Sequence, residues 1–391
     1  MIAFDTWVLS TRFRHQGIYT YAMNVLLNLQ RVVRDHPEAE IRYFVSRGCA
    51  NDATQVSAGP RFQPMDAPLL RFDRLWSLGG VNLAAARAGA HLLFAPTSRV
   101  IPLGRVPVVA TIHDLTMITS PSLAGWKNAW LRYLTRNAAR LSWHVITVSH
   151  WSKKDLVEIY DLPPEKVSVV YEGYDRDVFN PELPDPQRQQ QLLSQCGIRA
   201  PYLFHHGAIQ PRKNLQRLIQ AYRLLLDRHP GLDLQLVLAG PLGWRYDDIL
   251  RTAGEAGYRG KVVLTGPLPT DQLAALLKGA AACVIPSLYE GFCLPMLESM
   301  ACGVPTVVSN SSCLPEISGR VLHYFDPTSV EDMARAIWEV LDSTDLQAQL
   351  VRNGKQRAAW FNWERCAEET LQVLLKARKC PGGCYQEPSS R

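Results

Sequence analysis

The amino-acid sequence predicts an α/β protein of two domains, each built around a largely parallel sheet. Three observations support this class: a length of 391 residues, an alternation of short apolar runs with segments of helical period, and one proline-rich polar connection near the middle. At roughly 150 residues per domain, the length corresponds to two or three domains. Alternating strands and helices are typical of parallel sheets built from βαβ units.

The apolar runs predict six strands in each half of the chain. In the first half we expect strands at Ile2–Val8, Ile41–Val45, His91–Phe94, Val106–Ile112, His144–Val148 and Val167–Tyr171. In the second half we expect them at Tyr202–His206, Leu234–Ala239, Lys261–Thr265, Ala282–Ile285, Thr306–Val308 and Val321–Phe325. Each half therefore has enough strands for a sheet of its own.

The connection between the halves is the segment DVFNPELPDPQRQQQLLSQCGIRAP, in which prolines 181, 184 and 186 precede a polar run. Such a composition predicts an interdomain linker. We therefore expect an N-terminal domain over residues 1–180, a C-terminal domain over 181–375 and a disordered tail over 376–391. Two such domains joined once form a central cleft, where the carboxyl ends of both sheets can face a ligand.

Composition excludes several classes of protein. With 47% hydrophobic and 20% charged residues, the chain resembles ordinary globular proteins. Its net charge of +6 is too small for its length to indicate a nucleic-acid-binding protein. Residues 61–140, however, contain ten basic and three acidic residues and so concentrate positive charge in the first half.

The cysteines and the N-terminus indicate a cytoplasmic protein. Nine cysteines occur without regular spacing, and several lie in apolar runs, which favours reduced, buried thiols. The start MIAFDTWVL lacks the basic leader of a signal peptide, and no uncharged apolar run approaches the ~18 residues of a spanning helix. Cys380 and Cys384 lack a second ligand pair for zinc, so we expect no zinc site in the tail.

The stretch PSLYEGFCLPMLESMACGVPTVVSN, residues 286–310, is the most informative. It predicts a loop with Gly291 after a strand that ends at Ile285. A short helix follows, with Pro295 at its first position and Gly303 beyond its end. Because the first amides of a helix lack intrahelical partners, this arrangement predicts an anion site.

Two glutamates accompany that loop. Glu290 is expected in the loop, and Glu298 in the first turn of the helix. Alone, Glu298 could simply complement the helix dipole, which stabilises by under about 1 kcal/mol. Paired at a spacing of eight residues beside the turn-forming glycine and proline, the two carboxylates are better explained as acceptors for the hydroxyls of a sugar-containing ligand.

On these residues the sequence resembles the retaining glycosyltransferases of family 4, which have the GT-B fold of two facing Rossmann-like domains. Glu290 and Glu298 match the EX7E motif, and ITVSHWSKKDL, YEGYDRDVFNP and WFNWERCAEETL also look like this family. The resemblance implies that Glu290 contacts the donor sugar and Glu298 the ribose hydroxyls. It places the backbone of Gly291, Phe292, Cys293 and Leu294 near sugar and diphosphate, and makes a final helix at 358–375 pack back on the first domain.

A second motif, HGAIQPRKNLQRLIQAYRLLL, covers residues 206–226. Asn214 can cap a helix there, and Arg212 and Lys213 project just before it. The resemblance implies that Lys213 binds the donor diphosphate. Since Ala208 stands where the family often has arginine, Arg212 either substitutes for it or faces solvent.

Three further predictions concern ends of strands in the two halves. Gly17 precedes a helix and would let the backbone approach a phosphate or an acceptor. His113 ends the run VPVVATIHDL, and the resemblance implies a place beside the donor sugar, with Asp114 orienting its ring or capping the next segment. His205 and His206 are expected to be loop or core histidines.

The sequence Asp175-Arg176-Asp177 spells the D-x-D by which other transferases bind a divalent ion. Because it lies just before the linker, we interpret these residues as solvated loop charges. The donor charge would then be balanced by Lys213 and helix N-termini, without a metal or other cofactor.

The sequence thus predicts a metal-independent retaining glycosyltransferase. It would move a hexose from a nucleoside diphosphate sugar, with mannose from GDP-mannose as the first choice, to a glycan or lipid-linked acceptor, as in bacterial surface polysaccharide assembly. His113 and Glu290 would position the sugar, and Lys213 would stabilise the leaving diphosphate. The alternatives are a UDP-sugar-dependent transferase, a nucleotide-sugar epimerase, an α-glucan synthase and a nucleotide-sugar-binding regulatory subunit without turnover.

The segment PSLAGWKNAWLRYLTRNAARLSW, residues 121–143, has two interpretations. At helical spacing it mixes aromatic residues with Lys127, Arg132, Arg136 and Arg140. It is either an ordinary domain helix with its apolar stripe in the core, or part of a basic surface that docks peripherally on anionic lipid at the inner face of the membrane.

Overall fold

The computed structural model describes residues 1–10, 13–14, 16–45, 51–68, 72–119, 126–255 and 261–378. Contacts divide the chain into two compact units. The first comprises Met1–Gly173 together with Trp363–Arg391, and the second comprises Tyr174–Asn362. The chain thus leaves the first unit once and returns to it near its C-terminal end.

The described residues of the first unit contain a seven-stranded parallel sheet. Its strands are β1 (Ile2–Phe4), β2 (Ile41–Val45), β3 (Phe62–Asp66), β4 (Leu92–Ala95), β5 (Val108–Thr111), β6 (His144–Thr147) and β7 (Val167–Val169). Their spatial order is β3-β2-β1-β4-β5-β6-β7. The order reverses between β1 and β4, which is the point at which ligands bind in doubly wound sheets.

The described residues of the second unit contain a six-stranded parallel sheet. Its strands are β8 (Tyr202–His206), β9 (Gln235–Ala239), β10 (Val262–Gly266), β11 (Ala282–Ile285), β12 (Thr306–Ser309) and β13 (His323–Phe325). Their order is β10-β9-β8-β11-β12-β13. The reversal here falls between β8 and β11, so the loops that follow these two strands lie side by side.

Helices connect the strands in both units. They are α1 (Gly17–Val32), α2 (Asp73–Leu75), α3 (Val81–Arg87), α4 (Thr116–Thr119), α5 (Trp126–Leu141), α6 (His150–Tyr160), α7 (Pro186–Cys196), α8 (Leu215–Arg228), α9 (Asp247–Ala253), α10 (Thr270–Lys278), α11 (Leu294–Ala301), α12 (Leu314–Ser318), α13 (Val330–Asp342), α14 (Thr344–Ala358) and α15 (Trp363–Arg378). Short 3-10 turns include Trp7–Leu9 and Pro211–Lys213, and a π-helical turn covers Trp76–Gly80.

All twelve predicted strands are confirmed, with ends that shift by a few residues. Most are buried over nearly their whole length, because helices cover a parallel sheet and leave a continuous apolar run in the sequence. The prediction missed β3, whose residues Gln63 and Asp66 are exposed. This strand pairs with β2 at the sheet edge, where Pro64 is tolerated because an edge strand needs only one ladder of hydrogen bonds.

Two helix predictions require correction. The final helix covers Trp363–Arg378, not 358–375, and it packs on α1 in the first unit. Residues 376–378 of the predicted disordered tail complete this helix, whereas the remainder of the tail lies outside the described residues. The apolar stripe of α8 is buried as predicted. Asn214 precedes α8 in a left-handed conformation with φ 58°, but its side chain donates to the carbonyl of Pro327 and does not cap the helix.

The described cysteines are free thiols, and five of these six are buried, which confirms the prediction for this part of the chain. None of the helices in the described residues is both long enough and apolar enough to cross a bilayer.

Candidate active site

The loop after β11 enters α11 through a sharp turn at Cys293. This residue has φ 75° and is followed by Leu294 and Pro295 as the first two helical positions. Glu298 is consequently the fifth residue of α11 and lies in its second turn, so the prediction of a first-turn position is wrong. In the second turn the helix-dipole effect is weak, and another explanation is needed for a carboxyl at this place.

Glu290, in the same loop, is buried and is held by three side chains. Its Oε1 accepts hydrogen bonds from Lys213 Nζ and Ser287 Oγ, both at 2.7 Å, while Arg212 Nη1 lies 2.5 Å from Oε2. Burial alone would raise the pKa of Glu290, but the charges of Arg212 and Lys213 and the hydrogen bonds outweigh it and lower the pKa to about 2. The carboxylate is therefore ionised at any physiological pH.

Lys213 reaches Glu290 from the loop after β8, across the strand-order reversal of the sheet. Its side chain is only 7% exposed. Gly207 has φ 135°, a backbone conformation that residues with a Cβ rarely adopt, and a Cβ at that position would be in ordinary contact with Lys213 Nζ at 3.5 Å. Gly240 packs so closely on Gly207 that a Cβ there would lie 2.1 Å from its carbonyl oxygen, so only glycine fits.

Arg212 is largely buried, which contradicts the solvent-facing alternative left open by the sequence, whereas its role as a substitute for the missing arginine stays a prediction. Besides its contact with Glu290, its Nη1 donates to the carbonyl of Tyr289 at 2.6 Å, and its own carbonyl accepts from the amide of Leu288 at 2.9 Å. Arg212 therefore joins the loop after β8 to the loop after β11. The Glu290 carboxylate thus has two neighbouring cations, Lys213 and Arg212, although Ala208 stands where the family often has an arginine.

Glu298 lies in α11, and its side chain is 15% exposed. Burial raises the pKa of Glu298 to about 8, so its carboxyl is protonated at neutral pH. His206 Nδ1 is 3.6 Å from Glu298 Oε2, which is longer than a hydrogen bond. The pKa of His206 is lowered to about 3 by burial, then by His205 and Lys213. The contact therefore joins two neutral groups.

His205 and His206 belong to β8 and are fully buried, so they are core and not loop histidines. Sequence reasoning did not connect His206 with Glu298. The one available indication was its position at the carboxyl end of a strand, where ligand-facing residues of α/β proteins gather.

His113 follows β5 in the first unit, and both of its ring nitrogens face acceptors. Nδ1 lies 3.1 Å from Glu172 Oε1, and Nε2 lies 3.1 Å from the carbonyl of Pro96. The two contacts hold the ring in a fixed orientation. Sequence reasoning missed Glu172. Asp114 accepts from the amide of Thr116, so of its two predicted roles it takes the capping one.

Gly17, also in the first unit, is the first residue of α1. A Cβ at this position would meet no atom of the described chain within 4 Å. The local fold therefore does not demand glycine here.

The Asp175-Arg176-Asp177 segment is an exposed turn, as predicted. Asp175 Oδ1 accepts from the amides of Asp177 and Val178, and Arg176 donates to the carbonyl of Ala359. In the described ranges, no group of three or more histidine, cysteine, aspartate or glutamate residues could hold a metal ion.

Comparisons with known proteins identify the family of the chain. The model of the group 1 glycosyl transferases matches residues 197–357, and that of Glycosyltransferase Family 4 matches residues 32–178. The chain is 32% identical to O-antigen chain mannosyltransferase B of Escherichia coli, over 68% of this chain and 69% of that one. It is 30% identical to the MMP alpha-(1->4)-mannosyltransferase of Mycolicibacterium hassiacum, over 69% of this chain and 66% of that one.

Among solved structures, sucrose-phosphate synthase of Thermosynechococcus elongatus superposes with a TM-score of 0.73 at 20% identity, covering 96% of this chain and 98% of that one. The two parallel-sheet units thus have the GT-B fold. The chain belongs to glycosyltransferase family 4 and is a transferase.

Proposed function

We propose that the protein is a retaining mannosyltransferase, which moves mannose from GDP-mannose to a glycan or lipid-linked acceptor. Mannosyltransferases among its relatives support the choice of sugar. The name of the first of these relatives, an O-antigen chain mannosyltransferase, supports the acceptor class.

The observation that carries the proposal is the buried Glu290 carboxylate between Lys213 and Arg212. A nucleoside diphosphate sugar brings two phosphates and a ring of hydroxyls into adjacent positions. Two cations suit the diphosphate, and a carboxylate suits the hydroxyls. When the donor binds, its diphosphate takes over the two cations from Glu290, which then becomes free to accept a hydrogen bond from the hexose.

Glu298 takes the ribose in this proposal. A protonated carboxyl both donates and accepts, so it can hydrogen-bond a pair of neighbouring ribose hydroxyls without bringing a second negative charge towards the diphosphate. The backbone from Gly291 to Leu294, at the start of α11, lies next to sugar and diphosphate.

In the first unit we assign His113 to the donor sugar and Gly17 to the phosphate or the acceptor. The role of His113 requires that one of its two present contacts, with Glu172 or Pro96, is exchanged for a sugar hydroxyl. If Glu172 keeps its contact, it holds the imidazole in place while Nε2 turns to the sugar.

The chemistry then needs no enzyme nucleophile. The acceptor oxygen attacks the anomeric carbon on the face from which the diphosphate departs, and the bond from that carbon to the phosphate oxygen breaks. The departing phosphate takes the acceptor proton. Lys213 and Arg212 stabilise the charge that develops on the diphosphate, and this electrostatic stabilisation is the main way in which such a site accelerates the reaction.

We also propose that α5 contributes to docking on anionic lipid at the inner face of the membrane. Arg132, Arg136 and Arg140 are exposed, and so are Tyr133 at 50% and Leu141 at 53%. The buried face of α5 instead consists of Leu134, Thr135, Ala138 and Ala139, so the predicted apolar stripe is only partly in the core. Trp126 and Lys127 belong to α5, but their side chains, like residues 121–125, lie outside the described part of the chain.

A thermal-shift screen against nucleotide sugars, followed by a transfer assay, tests the proposal. GDP-mannose at 100 times its dissociation constant would stabilise the protein by about 2.7 kcal/mol. We expect this shift with GDP-mannose, and NMR should show a product with the anomeric configuration of the donor. A preference for UDP-sugars would instead indicate a UDP-sugar-dependent transferase, and an altered monosaccharide without an acceptor would indicate an epimerase. A growing glucan would indicate an α-glucan synthase. Binding without turnover over a wide acceptor panel would indicate a regulatory subunit.

A further inference from the structure

Serines at the end of β12 and directly after it hold the loop that carries Glu290. Ser309 Oγ and Ser311 Oγ donate to the carbonyl of Ser287, at 2.6 Å and 2.8 Å. Ser312 Oγ accepts from the backbone amide of Glu290 at 2.9 Å. The main chain is therefore held at both ends of the segment from Ser287 to Glu290, and Ser312 acts at Glu290 itself.

Ser312 occupies a costly backbone conformation. Its φ is 48°, in the left-handed region that residues with a Cβ rarely adopt and that glycine adopts freely. Glycine would fit this backbone better, but it would leave the amide of Glu290 without the hydroxyl acceptor. A serine here trades local stability for that one hydrogen bond, which is a pattern found at functional sites.

The other contacts of Glu290 involve its side chain. Two of them come from Lys213 and Arg212, the cations that the donor diphosphate would engage. Once these cations turn to the diphosphate, the carboxylate keeps only Ser287 from its present partners. The bond from Ser312 acts on the main chain, so it continues to fix Glu290 while the partners of the carboxylate change.

We propose that Ser312 is a positioning residue that holds Glu290 against the donor sugar during transfer. This inference rests on the role of Glu290 in the proposed function. It concerns the reaction step, so Ser312 should influence kcat more than donor binding.

Three substitutions separate positioning from stability. Ser312→Gly relieves the backbone and removes the acceptor, whereas Ser312→Ala removes the acceptor and keeps the unfavourable backbone. Ser312→Thr keeps the hydroxyl but adds a β-branch that the left-handed region tolerates poorly. Arg320→Gly is the control for the backbone effect, since Arg320 is another residue at positive φ, 59°, in the same unit, and it is exposed.

We expect Ser312→Gly and Ser312→Ala to lower kcat about fivefold, the effect of losing one hydrogen bond, with the GDP-mannose dissociation constant within about twofold of wild type. The melting temperature of Ser312→Gly should be higher than that of Ser312→Ala. Ser312→Thr should melt lowest but keep kcat within about twofold, and Arg320→Gly should leave kcat unchanged. Activity and melting temperature would then vary independently.

Two results would overturn the inference: a wild-type kcat in Ser312→Gly, or a kcat that follows melting temperature across the three variants. Either result, obtained with an active wild-type enzyme, leaves the proposed function intact. If wild-type protein transfers no sugar from any nucleotide donor, the proposed function itself has failed, and with it the basis of the inference.

Discussion

Lys213 Nζ lies 2.7 Å from Glu290 Oε1, although 77 residues separate them in the chain. Arg212 takes the other oxygen of the same carboxylate. Removing three charges from water is expensive, and a buried group of this kind is tolerated only when its members are paired and hydrogen-bonded. The arrangement thus keeps two cations and one carboxylate ready beside the start of α11.

Substitution of the two glutamates should affect different kinetic parameters. We expect Glu298→Ala to raise the dissociation constant of the donor, because it removes the partner of the ribose hydroxyls. Glu290→Ala should mainly lower kcat, because the sugar is held less firmly next to the reacting bond. Each loss in kcat/KM should reach at least about 1 kcal/mol, which steady-state kinetics with calorimetric donor titration can resolve. Wild-type kcat/KM in both variants would make the pair structural.

Neutralising Lys213 should destabilise the fold through Glu290. Lys213→Met leaves a buried carboxylate with one cation fewer, and breaking such a pair typically costs about 3 kcal/mol or more. The double variant Lys213→Met with Glu290→Gln removes both charges of the pair and should recover a large part of that loss. Urea denaturation measures both, and a double variant no more stable than Lys213→Met would contradict the expectation that the unpaired charge of Glu290 causes the loss.

Stability should depend on pH through Glu298. Its pKa in the folded protein is raised to about 8 from a usual value of 4.5. The protonated group stabilises the fold fully below about pH 4.5, and this contribution is lost as the pH rises through 8. Glu298→Gln cannot ionise, so the stability of the variant relative to wild type should increase from pH 5 to pH 9. We expect the difference in melting temperature to move by several degrees.

Glu331→Gln, at an exposed site, controls for the loss of a charge. A difference between wild type and Glu298→Gln that stays constant from pH 5 to pH 9 would contradict a raised pKa at Glu298.

Chelation should leave transfer intact. Asp175 and Asp177 are turn residues in the structure, so Asp175→Ala combined with Asp177→Ala should cost about 1 kcal/mol of stability through the lost turn hydrogen bonds and leave kcat unchanged. The assay is run with and without EDTA. Strict dependence on Mg²⁺ or Mn²⁺, abolished in the double variant, would restore the D-x-D interpretation.

Vesicle co-sedimentation tests the docking of α5. We expect binding to anionic vesicles that weakens with salt, since the Debye length falls from ~10 Å at 0.1 M to ~3 Å at 1 M. Replacing Arg132, Arg136 and Arg140 by alanine should remove about 1 kcal/mol per cation. The matched control replaces three exposed arginines of the second unit, Arg188, Arg228 and Arg352, and removes the same charge. Equal losses in the two variants would indicate a general charge effect, and no binding even at low salt would exclude docking.

Local sequence patterns determined most of the fold. An apolar run such as Tyr202–His206 indicates a buried strand because both faces of a parallel sheet are covered, and this property belongs to the run itself. The positions of glycine and proline in residues 286–310 likewise predicted a loop, a helix and a strand in that order. The sequence did not predict β3, because an edge strand with exposed polar residues and a proline has no continuous apolar run.

The sequence by itself also selected the residues of the candidate site, since Glu290, Glu298 and Lys213 stand in motifs that can be read along the chain. Only the tertiary structure decided their electrostatic states. Glu290 is ionised because two cations from another loop reach it, whereas Glu298, eight residues further on, is neutral because burial without a comparable partner raises its pKa. Glu172, His206 and Ser312 became relevant for the same reason. A contact between distant segments depends on how the strands are ordered, and no local pattern encodes that order.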